Sequence, residues 1–127
     1  MCTKDRRKWL ATEEYHGLLQ TAWQEATGWL VARYVVMPDH VHLFAAPGEM
    51  DVDLDTWMRY WKRLFSSLHG RREHRWQAGH WDRRLRTGES YDEKWQYVRN
   101  NPVRHGLVAK PDDWPFQGEL HVLHWCE

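Results

Sequence analysis

The chain has 127 residues, 18 Lys+Arg against 18 Asp+Glu, nine His, ten Trp and 42 % hydrophobic residues. That length and composition support one packed core rather than two, so a single domain over residues 1–127 is expected. No apolar run approaches membrane-spanning length and no basic-then-apolar leader opens the sequence, so no membrane partner is expected and the cytoplasm is the expected location. The zero net charge hides an asymmetry: Trp57 to Lys110 holds 13 basic against 5 acidic residues, and the remainder holds 5 against 13. Such segregation suggests a polyanion partner for the basic half, against the plainer reading of a well-solvated helical surface. Cys2 and Cys126 stand at opposite ends and are expected as free thiols.

In chain order, Met1-Cys2-Thr3 reads as the tail of a strand, followed by a charged loop. Thr12 with Glu13 and Glu14 behind it is a helix start, a hydroxyl cap with acids in the first turn. The spacing of Tyr15, Leu18, Leu19, Ala22 and Trp23 predicts a helix to about Thr27, stopped by Gly28. Trp29 to Met37 and His40 to Ala46 read as two strands joined by a tight turn at Pro38-Asp39. Pro presets the backbone angle of a turn, and Asp bonds its own backbone. His40 and His42 interrupt the apolar pattern and, as alternate strand residues, leave the sheet on one face. Two neutral imidazoles side by side are half of a metal site, or two polar residues on a solvated face.

A second helix is predicted from about Asp53 to His69, with Leu54, Trp57, Met58, Trp61, Leu64, Phe65 and Leu68 as its buried stripe. Arg59, Lys62 and Arg63 lie off that stripe. Arg71, Arg72 and Arg75 follow in a loop, and Arg83, Arg84 and Arg86 lie on or near a loop or edge strand spanning Trp76 to Leu85. These nine residues are the candidate polyanion-binding set. A third helix follows Ser90, its expected cap, and buries Tyr91, Trp95 and Val98. Asn101-Pro102 breaks it. Tyr97 leaves this helix away from its buried stripe and Asn101 shares the face of Tyr97 one turn on. Tyr97 reads either as an amphipathic tyrosine at the core edge or as a nucleophile. Asn101 reads either as a cap on the turn starting at Pro102 or as a metal-binding oxygen. The tail, with Trp114, Phe116, Leu120, Val122 and Trp125, is expected to pack back on the domain.

Two blocks, Tyr34-Val35-Val36-Met37-Pro38-Asp39-His40-Val41-His42 and Tyr97-Val98-Arg99-Asn100-Asn101-Pro102-Val103-Arg104-His105-Gly106-Leu107-Val108, resemble the single-tyrosine HUH transposases. Within them the chain is most similar to the branch associated with repetitive extragenic palindromes (REP), over about Thr3 to Trp125. The resemblance implies an α+β fold, a ferredoxin-like antiparallel sheet with helices packed on one face. It implies His40 and His42 as a metal-binding pair, Tyr97 as nucleophile and Asn101 as a polar third ligand for Mg2+ or Mn2+. The implied reaction cuts single-stranded or hairpin DNA by metal-dependent transesterification, leaving a 5′-phosphotyrosine link and a free 3′-hydroxyl. The implied assembly is a monomer or homodimer. The sequence departs from the family at its start, where the first strand is truncated to Met1-Cys2-Thr3. Two other readings stand beside this one. One is a hairpin DNA-binding protein that does not cut; the other is a zinc hydrolase on His40 and His42, completed by His80 or His105.

Overall fold

Trp29–Val36 is rich in β-branched and aromatic residues and forms β1, the central strand of an antiparallel sheet in the computed structural model, which describes residues 1–79 and 91–122. The Pro38-Asp39 turn is closed by the Met37 N–H donating to His40 O at 2.7 Å, and returns the chain into β2, Val41–Pro47. The register sets His42 opposite Val35 and Val41 opposite Val36, with an irregularity between Val31 and Tyr34. On the other edge of β1 lies β3, Gln117–Glu119, giving the strand order β2-β1-β3. The tail therefore does more than pack back: it contributes a strand. Val122 stays exposed, and Trp125 and Cys126 lie outside the described residues.

Met1-Cys2-Thr3, expected as the tail of a strand, makes two isolated antiparallel bridges, Cys2 to His40 and Thr3 to Trp76. Val41 N–H donates to Met1 O, and Gln77 N–H donates to Cys2 O, so this segment lies between the start of β2 and the Trp76 segment. Cys2 is a free thiol.

Helix α1, Glu13–Glu25, begins where Thr12 Oγ1 accepts the Tyr15 N–H at 3.1 Å. It ends before the expected Gly28 because Ala26 already leaves the helical region, with its carbonyl oxygen accepting the Trp57 indole N–H at 2.7 Å. Helix α2, Leu54–His69, is capped by Asp53, and Gly70 ends it with a φ of 66°, a conformation that needs no Cβ. Trp57, Met58, Trp61 and Phe65 of α2 interlock with Leu19, Ala22 and Trp23 of α1 over Val31, Tyr34 and Val36 of β1. Leu68, assigned to the same stripe, is exposed.

Helix α3, Tyr91–Arg99, lies against the opposite side of β1, where Trp95 and Val98 pack on Val35, Met37 and Trp114. The layer of helices on one face thus holds for α1 and α2, while α3 occupies the other face. The backbone then turns at Asn100 into a four-residue helix α4, Asn101–Arg104, with Pro102 in its first turn. Ser90, the expected cap of α3, lies outside the described residues.

The core energetics rest on large aromatics. Trp57 is 1 % exposed and its indole hydrogen bond to Ala26 O ties α2 to the end of α1. Trp57→Ala is expected to cost about 3–5 kcal/mol, seen as a lowered denaturation midpoint. A midpoint equal to wild type would mean that this aromatic layer does not hold the helices to the sheet.

Candidate active site

The alternation along β2 carries His40 and His42 to the face of Val35 and Met37, the one that α3 crosses. Their Nε2 atoms are 3.1 Å apart and the rings meet edge to face. Asp39 Oδ1 lies 2.6 Å from His40 Nδ1, and Asp39 Oδ2 accepts from Arg6 Nε at 2.9 Å. Burial alone would raise the Asp39 carboxyl, but the bonds from His40 and Arg6 outweigh it and hold it below its ordinary value. An ionised carboxylate has no proton to donate, so His40 carries its proton on Nδ1 and presents a bare Nε2. His42 then donates its Nε2–H across the 3.1 Å contact. Burial lowers the pKa of both rings, and His42, where a proton would also be repelled by a protonated His40, by the N-terminus and by Arg104, falls to about 4. Both imidazoles are therefore neutral at neutral pH. Arg6 reaches Asp39 from a turn in which Asp5 and Arg6 both have positive φ, a sparsely populated conformation for residues with a side chain.

This pair fits a divalent cation. With metal–nitrogen bonds of about 2.1 Å, nitrogens 3.1 Å apart subtend roughly a right angle at the ion, as neighbouring ligands do. His42 would first move its proton to Nδ1. No group of three or more His, Cys, Asp or Glu suited to a metal occurs among the described residues. The zinc hydrolase reading thus finds no third strong ligand there, and its candidate His80 lies outside the described residues. His105 approaches His40 with ring centroids 6.4 Å apart.

On the helical side, Trp95 and Val98 anchor α3, and Phe44 of β2 meets both Tyr91 and Trp95 edge to face. Tyr97, off that anchored stripe, is 68 % exposed. Asn101 is 8 % exposed. Its Oδ1 accepts from Arg104 Nη2 at 2.8 Å, and the Arg104 guanidinium lies over the Tyr97 ring, 4.1 Å from its centroid. The capping alternative for Asn101 is not what the chain does: Asn100 occupies the cap position of α4, and its side-chain N–H donates to Gln96 O. The histidine pair belongs to the sheet face that α3 covers, and α4, next in the chain after α3, carries Asn101 and leads into His105.

The candidate DNA-binding residues are dispersed. Arg59 and Arg63 are exposed on α2, whereas Lys62 donates to Gly79 O at 2.9 Å with its ammonium over the Trp76 ring. Arg71 is held by Glu14 and by the Tyr15 hydroxyl, which also meets His74 in a short hydrogen bond. Arg72 and Arg75 are exposed and shared by two open clefts of about 410 and 430 Å³, one also lined by Ser66, Arg71 and His74, the other by Lys4 and Arg7 together with the acidic Asp5 and Glu73. Arg83, Arg84 and Arg86 lie outside the described residues. Sequence reading missed Asp39, Arg6 and Arg104. Only for Asp39 was there a signal, its position beside His40.

The relatives found are REP-associated tyrosine transposases. The chain is 29 % identical over 117 residues to the REP-associated tyrosine transposase of Escherichia coli K12, covering 89 % of this chain and 69 % of that protein. It is 28 % identical over 94 residues to a putative REP-associated tyrosine transposase of Haemophilus influenzae, covering 64 % and 53 %. It also matches the structure of a REP-associated tyrosine transposase bound to a REP hairpin, with a TM-score of 0.78 and 29 % identity over 91 % of this chain and 71 % of that one. No protein-family model matches the chain. No helix among the described residues is long and apolar enough to cross a membrane.

Proposed function

We propose that this chain is a transposase-type single-stranded DNA endonuclease and strand transferase, acting on single-stranded or hairpin DNA through Tyr97. The observation that carries the reading is the convergence of the His40 and His42 Nε2 atoms, 3.1 Å apart, on the sheet face crossed by the helix bearing an exposed Tyr97. The relative whose structure holds a REP hairpin supports the choice of DNA. In the reaction, Tyr97 Oη attacks the scissile phosphorus, an Oη–P bond forms and the P–O3′ bond breaks. The phenolic proton leaves to solvent and the departing 3′ oxygen takes one up. The product is a 5′-phosphotyrosine and a free 3′-hydroxyl, and the reverse attack rejoins the strand without a nucleotide cofactor.

His40, His42 and the Asn101 amide are the residues that would hold Mg2+ or Mn2+, the Asn101 oxygen offering the lone pair that its bond from Arg104 leaves free. When bound, the cation offsets charge on the phosphate oxygens. Asp39 orients His40 for that task. Asp39→Ala is expected to weaken manganese binding about 10–100-fold, read by titrating the protein with the metal. Unchanged affinity would show that the carboxylate does not prepare the ligand.

Labelled hairpin DNA incubated with the protein and manganese should yield a covalent species that survives denaturation. Retention of the hairpin with no covalent species would support a non-cleaving binding protein instead. Because the basic residues would meet phosphates, hairpin affinity should fall on the order of 10²-fold between 50 and 200 mM salt. Fluorescence anisotropy across that range checks this, and salt-insensitive binding would contradict it.

A further inference from the structure

Among the described residues Arg104 has no carboxylate partner, whereas Arg6 pairs with Asp39, Arg33 with Asp92 and Glu119, Arg71 with Glu14, and Arg99 with Asp112. Arg104 is exposed. Its side chain is nevertheless held, by a hydrogen bond to Asn101 Oδ1 at 2.8 Å and by its seat on the Tyr97 ring at 4.1 Å. Stacking on a ring face leaves the edge of the guanidinium plane open, and only one of its five N–H groups is used by Asn101. A fixed, unbalanced guanidinium touching a candidate nucleophile is a site for an anion.

We propose that Arg104 binds the scissile phosphodiester, its free N–H edge bonding a non-bridging oxygen while its stacked face orients the Tyr97 ring for attack on that phosphorus. The proposal rests on Tyr97 being the nucleophile and adds to that reading a phosphate-binding residue on α4. No bond is made or broken by Arg104 itself. The guanidinium offsets the charge that grows on the phosphate oxygens as the Oη–P bond forms. The Asn101 bond fixes the guanidinium before DNA arrives, so little side-chain freedom remains to be lost on binding.

The test compares wild type, Arg104→Gln and Arg104→Lys on two hairpin oligonucleotides, one natural and one with an uncharged methylphosphonate at the scissile position. Arg104 is exposed, so all three proteins should share one thermal midpoint. Binding is read by anisotropy without divalent cation, so that no metal contacts the scissile phosphate. Wild type should bind the natural DNA several-fold more tightly than the methylphosphonate DNA, and Arg104→Gln should bind both alike. Single-turnover adduct formation on natural DNA should fall about 10²-fold in Arg104→Gln, the scale of losing one oxyanion donor. Arg104→Lys should keep part of the charge discrimination but lack the stacked fork, and fall between the two. Equal discrimination in wild type and Arg104→Gln overturns the proposal, and so does a wild-type adduct rate in Arg104→Gln. Adduct formation by wild type, lost in Tyr97→Phe, establishes the underlying reading separately. If wild type forms no adduct, that reading fails; the methylphosphonate comparison still decides whether Arg104 meets the phosphate.

Discussion

Tyr97→Phe is expected to abolish covalent attachment to DNA while leaving the fold and hairpin affinity as they are. The substitution removes one oxygen from a side chain that is 68 % exposed and retains the ring on which Arg104 stacks. A surface change of this kind moves stability by less than about 0.5 kcal/mol. A structural tyrosine would show the reverse pattern, with stability falling by about 1 kcal/mol and the adduct unaffected. Covalent product from Tyr97→Phe would move the nucleophile elsewhere, with Tyr60, half exposed on α2, and Tyr91 as the next candidates. Tyr91 is the poorer of these, because its hydroxyl accepts the Arg33 N–H and burial raises its pKa.

His42→Ala should reduce adduct formation by about 10²- to 10³-fold at low manganese, with partial recovery at high manganese. The partial recovery follows from what remains: His40, still oriented by Asp39, and the oxygens of the DNA itself. Hairpin binding at saturating DNA should be nearly unchanged. Rate against manganese concentration checks this, with circular dichroism as the folding control. A variant that forms adduct at the wild-type rate at every manganese concentration would remove His42 from the chemistry.

The strand–turn–strand unit was legible because its signals are local. β-branched runs flank a Pro-Asp turn, and a period of two puts both histidines on one face. Helices α1 and α2 were legible for the same reason, through stripes of apolar residues and, for α1, through Thr12 as cap, whereas Asp53, read as the approximate start of α2, is its cap. Strand β3 was not legible. It has three residues without alternation, and it exists because Gln117, Gly118 and Glu119 find Val35, Tyr34 and Arg33 across the sheet. Nor could the sequence put α3 on the face opposite α1 and α2, since periodicity names a buried side without naming what buries it. At the site, the four-residue spacing of Tyr97 and Asn101 was readable, although the two lie on separate helices, α3 and α4. Their link through Arg104 was not, because it depends on α3 ending at Arg99 and the chain turning into α4.

The most direct measurement is the site of covalent attachment. The protein is incubated with hairpin DNA and manganese, digested with nuclease and protease, and the modified peptide sequenced by mass spectrometry. A nucleotide joined through its 5′-phosphate to Tyr97 is the expected result. A modified peptide bearing any other residue, or cleaved DNA with no modified peptide, would contradict Tyr97 as the nucleophile.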